Sequence, residues 1–180
     1  MSEKAKLIFL VEDNEMFSQT VKIGVAKRAG YEVITFGTGE KMFEYLEKEK
    51  SVPDIIVLDY ILNSVDSYAK NGGEILELLR TKYKGQIANA PVIMLSASTD
   101  VKDAVDLLKR GAKDYILKDA AFLDNLVKSL ENIIELKALR AEMSLYKNEA
   151  QSLKKRLWLT VAVVVVFVVV VGSYFIWFKG

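Results

Sequence analysis

Cysteine and histidine are absent from the 180 residues. Without thiols there can be no disulfide, no cysteine-ligated zinc and no thiol nucleophile. Without imidazoles there is no histidine general base, no histidine metal ligand and no phosphohistidine, which excludes a histidine kinase or a histidine phosphotransfer protein. An excess of one charge is missing too, since 25 basic side chains face 24 acidic ones. A net charge of +1 gives no global basic field to draw the chain to nucleic acid, and nucleic acid is not expected as a partner. Proline is confined to Pro53 and Pro91. Whatever chemistry remains must run on carboxylates, Lys, Ser, Thr, Tyr or backbone groups.

The N-terminal part also lacks a long apolar run: Leu7 to Val11 is followed at once by an acidic pair, too short for a secretory signal or an anchor. The C-terminal end is different, because Leu157 to Phe178 is 22 residues without a charge. As a helix rising about 1.5 Å per residue it would reach roughly 33 Å, enough for a hydrocarbon core of about 30 Å. Lys154, Lys155 and Arg156 precede it, and Trp158, Tyr174 and Trp177 lie near its ends. The expectation is one C-terminal transmembrane helix over 157–178, in contact with membrane lipid. The positive-inside rule then orients it as a single-pass anchor of the inner (cytoplasmic) membrane, with the preceding body in the cytoplasm.

Between these ends, short apolar runs alternate five times with amphipathic stretches of helical period. The runs are Leu7 to Val11, Tyr31 to Phe36, Ile55 to Leu58, Val92 to Leu95 and Tyr115 to Leu117. Near-continuous runs of this kind suit a parallel sheet covered on both faces. The helical spacings are Phe17, Val21 and Val25; Met42, Phe43 and Leu46; Ile75, Leu78 and Leu79; Val101, Val105 and Leu108; and Phe122, Leu126, Leu130, Ile133 and Ile134. Gly30, Gly37, Gly39 and Gly111 fall at the breaks, and the two prolines stand before the third and fourth strands. The fold expected is α/β with a doubly wound, five-stranded parallel sheet. Gly24, inside the first helix, is a local conflict worth up to about 1 kcal/mol against alanine.

Strand one runs into Glu12 and Asp13, and strand three into Asp59. Parallel strands bring all three acids to one carboxyl edge, where open α/β sheets bind ligands. A carboxylate cluster without histidine or cysteine suits a hard divalent cation, Mg²⁺ above all. Strand four ends in Ser96 and strand five in Lys118, preceded by Tyr115, at that same edge. This set of residues resembles the receiver domain of two-component response regulators, over residues 6 to about 136. The family's acidic pair falls on Glu12 with Asp13, its phosphoacceptor aspartate on Asp59, its hydroxyl residue on Ser96, its aromatic on Tyr115 and its lysine on Lys118.

The resemblance implies the flavodoxin-like strand order 2-1-3-4-5, which would set strands one and three side by side. It implies Mg²⁺ held by Asp13, Asp59 and the backbone carbonyl of Ile61, with Glu12 acting through bound water. Lys118 would pair with the transferred phosphoryl group, Ser96 would donate a hydrogen bond to it, and Tyr115 would turn inward as a switch with Ser96. Three features depart from the pattern: Asp119 stands where the family usually has proline, the acidic pair is Glu-Asp, and the segment from Tyr60 to Gly73 is longer and lacks its usual proline.

From Leu139 to Leu157, apolar or small residues recur at Leu139, Met143, Tyr146, Ala150, Leu153 and Leu157, a heptad seam. With Met143, Ala150 and Leu157 at a, Glu142 and Glu149 fall at g while Lys147 and Lys154 fall at e, which favours a parallel homodimer. The period slips between Ile133 and Leu136, marking a domain edge. The organisation expected is a receiver over 1–136, a helical stalk or coiled coil over 137–156 and the anchor over 157–178. Its function would be that of a membrane-tethered, Mg²⁺-dependent phosphoacceptor serving a sensor histidine kinase or phosphotransfer protein and acting on a further protein by contact. It would not be an enzyme beyond turning over its own phosphoryl group. The rival readings are a phosphohydrolase with Asp59 as carboxylate nucleophile, and a degenerate receiver acting as a membrane scaffold.

Overall fold

A computed structural model describes residues 5–62 and 70–179, the side chains of 164, 167, 168 and 174–179 excepted. Its strands are β1 (Leu7–Val11), β2 (Glu32–Phe36), β3 (Ile55–Asp59), β4 (Val92–Ser96) and β5 (Asp114–Leu117). Between and after them run helices α1 (Glu15–Ala29), α2 (Gly39–Glu49), α3 (Gly72–Lys82), α4 (Gly85–Ala88), α5 (Val101–Lys109) and α6 (Phe122–Lys179). All strand pairs are parallel and the order is β2-β1-β3-β4-β5, as the sequence led us to expect.

Burial follows from that order. The central strands β3 and β4 are buried at every residue, whereas the edge strands β2 and β5 are only partly so. Side chains alternate across a strand, so each central strand feeds two cores. Phe9, Ile56, Leu58 and Met94 pack with Met42 and Leu46 of α2 and Ile75 and Leu79 of α3. Their neighbours Ile8, Leu10, Val57 and Ile93 pack on the other face with Val21 and Val25 of α1 and Leu126 and Leu130 of α6. Helix ends are fixed locally: Asn14 and Asn71 cap α1 and α3, the latter in a reciprocal capping box with Glu74, and Gly30 closes α1 at φ 65°. At the amino edge of the sheet, Arg80 donates to the carbonyls of Ala88, Ala90 and Gly111, tying the segments that precede β4 and β5.

Two expectations need correction. On α5, Val101, Val105 and Leu108 share a helical spacing but face solvent, and the buried residue is Leu107. The second concerns the inner-membrane placement and the transmembrane helix over 157–178. Among the described residues, no helix is long and apolar enough to cross a membrane. The expectation of an anchor in membrane lipid is overturned on that count. The chain divides into two compact units, Met1–Ile134 and Glu135–Gly180.

Candidate functional site

The site is assembled where β1 and β3 end side by side, with Val11 paired to Leu58. Beyond Val11, Glu12 turns inward and is buried, and its Oε1 accepts from the backbone N–H of Asn14 at 3.1 Å. Asp59 is the last residue of β3, and the backbone N–H of Ile61 donates to its carboxylate. Glu12, Asp13 and Asp59 each present a carboxylate oxygen, all within 4.8 Å of one another. Lys118 arrives from the end of β5, its backbone N–H donating to the Ser96 carbonyl at 2.8 Å. The ammonium bridges two of the acids, 2.7 Å from Glu12 Oε2 and 2.8 Å from Asp59 Oδ2. It also stands 4.5 Å from the centroid of the Phe17 ring, a cation–π contact.

Two of the three carboxylates share the Lys118 ammonium in a place with little water. Burial pushes the Asp59 carboxyl above its ordinary range; Lys118 and the Ile61 N–H pull it back down, and Asp13 adds to the rise. Burial likewise pushes Glu12 up, opposed by the hydrogen bond from Lys118 and reinforced by Asp59. Clustered carboxylate oxygens are the donor set of a Mg²⁺ site, and the cluster fits that ion.

Ser96 is fully buried at the end of β4, its Oγ accepting from the N–H of Ser98 at 3.0 Å. Tyr115 is half-buried against the first core, and its hydroxyl donates to the Ser98 carbonyl at 2.7 Å. Ile61 lies beyond β3 with its side chain exposed. Asp119 forms the turn into α6: its carboxylate accepts from Ala121 N–H at 2.9 Å and its carbonyl from Phe122 N–H at 3.2 Å. Within the long segment from Tyr60 to Gly73, residues 63–69 lie outside the described residues.

Three contributors escaped sequence reasoning. Phe17 reads in the sequence as one more apolar helix position, and nothing there singles out Ser98 or Gly72. Yet the N–H of Gly72 donates to the Tyr60 carbonyl at 2.9 Å, and a Cβ there would fall 2.3 Å from the Asp59 carbonyl oxygen. Gly72→Ala is therefore expected to destabilise the fold by about 3 kcal/mol, since backbone cannot move aside as a side chain can. The comparison is Gly39→Ala, whose new methyl meets the Ile75 side chain, at 2.3 Å from Cδ1 and 2.5 Å from Cγ1, rather than backbone. Urea denaturation giving the two variants equal midpoints would refute this account of Gly72.

This arrangement is matched by a family model, the response regulator receiver domain, over residues 8–131. The chain belongs to the response regulator receiver family. The receiver is 33% identical over 148 residues to the alkaline phosphatase synthesis transcriptional regulatory protein PhoP of Bacillus subtilis, covering 81% of this chain and 57% of that protein. It is 29% identical over 137 residues to the transcriptional regulatory protein KdpE of Mycobacterium tuberculosis, covering 76% and 54%. The chain thus spans about half the length of the curated relatives it matches. Among solved structures, the phosphorylated cyanobacterial phytochrome response regulator RcpA superposes with a TM-score of 0.58 at 29% identity, over 73% of this chain and 93% of that one. A receiver is a phosphoacceptor signalling domain and not a classical enzyme, which sets the phosphohydrolase reading aside. Ile61, two residues past Asp59, also offers no second acid for hydrolase chemistry.

Proposed function

We propose that this receiver accepts a phosphoryl group on Asp59 in a Mg²⁺-dependent phosphorelay, that a sensor histidine kinase or phosphotransfer protein supplies it, and that the signal leaves by protein contact. The observation that carries this reading is the position of Lys118 Nζ, 2.8 Å from Asp59 Oδ2 inside the carboxylate cluster. In the transfer an Asp59 carboxylate oxygen attacks phosphorus, the bond to the donor's leaving atom breaks, and its electron pair departs with the donor. Charge builds on the equatorial phosphoryl oxygens, and Lys118 offsets it as a compact point charge. The Ser96 oxygen already accepts from Ser98, so its own proton is left to donate to a phosphoryl oxygen. Asp13, Asp59 and the Ile61 carbonyl would hold Mg²⁺, which supplies further charge neutralisation there, while Glu12, engaged at both oxygens, acts from outside the ligand set.

The signal would leave through Ser98, whose N–H and carbonyl are tied to Ser96 and Tyr115 respectively. A change at Ser96 thereby reaches the β5 tyrosine. Domain organisation follows the same reading, with a receiver over 1–136 and a helical stalk over 137–156. The matched relatives carry names of transcriptional regulators, so the exclusion of nucleic acid rests on this chain's own charge balance alone.

Incubation of the chain with acetyl phosphate and Mg²⁺ tests the assignment. One phosphoryl group per chain is expected, mapped by mass spectrometry to the peptide holding Asp59 and lost when Mg²⁺ is chelated. Label on any other residue, or equal labelling without a divalent cation, would contradict it.

A further inference from the structure

The second unit poses a separate question, because its helix carries a stripe of exposed apolar side chains. Three unbroken heptads run from Leu136 to Arg156, and Leu157 opens a fourth. The a positions are Leu136, Met143, Ala150 and Leu157; the d positions are Leu139, Tyr146 and Leu153. All lie within α6. The larger six are between 49% and 65% exposed, and Ala150 is exposed as well. A monomeric helix leaving such a stripe in water forgoes the burial that stabilises helices of this kind.

The charges flanking the stripe state what covers it. Glu142 and Glu149, at g, and Glu135, at the g position just before the first heptad, are acidic, while the last g, Arg156, falls outside the pairs formed below. Every e position is basic: Arg140, Lys147 and Lys154. In a parallel pair a g residue faces the e residue five places on in the partner, which joins Glu135 with Arg140, Glu142 with Lys147 and Glu149 with Lys154. An antiparallel pair would set acid against acid and base against base along both flanks. From this complementarity we infer that the segment from Leu136 to Leu157 forms a parallel, in-register, two-stranded coiled coil with a second copy of this chain. The partner is specified by the helix itself, since one strand carries both halves of every pair.

The absence of native cysteine makes the geometry directly measurable. In a parallel, in-register coil each d residue meets its own counterpart, whereas a c residue points outward. Full-length Leu139→Cys and Leu153→Cys, oxidised separately, are each expected to give covalent dimers at least tenfold faster than Leu145→Cys, at a c position. Equal rates at all three sites, cross-linking at only one of the two d sites, or a trimer by light scattering would overturn the proposal. Charge reversal gives a second readout: Glu142→Lys with Glu149→Lys should weaken dimerisation roughly tenfold or more. Mixing that variant with one carrying Lys147→Glu and Lys154→Glu should restore pairing as a heterodimer. A mixture that stays dissociated also counts against it. None of these measurements involves phosphoryl transfer, so a failure here leaves the Asp59 assignment untouched.

Discussion

Asp59→Asn is expected to abolish phosphoryl acceptance without unfolding the receiver. The amide keeps the shape and an oxygen able to accept from the Ile61 N–H and Lys118, but it has no anionic oxygen to attack phosphorus. Stability should hold or rise at pH 7, because the wild-type carboxylate sits in unfavourable surroundings. Its pKa is raised in the folded state, chiefly by burial. The folded chain therefore binds this proton more tightly than the unfolded chain does. Between the ordinary and the raised pKa, stability falls as pH rises, and above that window the whole penalty is present. Asparagine has no such penalty. Urea midpoints measured from acid to neutral pH should fall more for the wild type than for Asp59→Asn, alongside complete loss of label from acetyl phosphate. A variant that labels like the wild type, or one strongly destabilised at pH 7, would show that this aspartate is not the acceptor or not so placed.

Lys118→Ala is expected to act on both stability and chemistry. Its ammonium neighbours Glu12 and Asp59, whose side chains are only 1% and 5% exposed. Removing this cation from between two buried carboxylates should cost about 3–5 kcal/mol at pH 7 without divalent ions. Phosphoryl acceptance should fall about 100-fold or more, the usual effect of losing one preorganised charge-stabilising group. Lys118 is a lowering influence on both acids, so its loss drives their pKa values further up. The instability should therefore shrink as pH falls and the carboxyls take up protons, and it should shrink again on adding Mg²⁺. Lys118→Arg should not restore the rate, since a planar fork cannot replace a point charge seated on the Phe17 ring. Equal stability of Lys118→Ala and wild type at neutral pH would count against the bridged geometry.

The fold was largely legible in the sequence for a specific reason. Central parallel strands are buried on both faces, so β1, β3 and β4 appear as unbroken apolar runs whose limits differ from the observed ones by at most a residue. The meeting of Glu12, Asp13, Asp59 and Lys118 was legible because they stand at or just after strand ends, where chain order and spatial order coincide. What escaped depends on packing between distant segments. Gly24 looks like a weakness in α1 until Leu123 is seen pressed against it, where a Cβ would come within 2.5 Å. Helical period says that Val101, Val105 and Leu108 share a face, but not whether anything covers that face. The four-residue α4 is too short to carry any period.

The double attachment of Lys118 sets how much must rearrange when Asp59 reacts. Phosphoryl transfer to Asp59 would change the partner on one side of the ammonium, converting a carboxylate into an acyl phosphate, a mixed anhydride. Glu12, on the other side, takes no part in the bond exchange, and it is itself fixed by the Asn14 N–H. A lysine held by Asp59 alone would lose its registration at the moment of transfer and would have to be recaptured by the product. On the proposed function, a lysine tethered to a spectator acid and resting on the Phe17 ring would keep its place through the transfer. The reorganisation cost of the step would then be met during folding, and one cation would serve both loading and unloading of the acceptor without a search for its position.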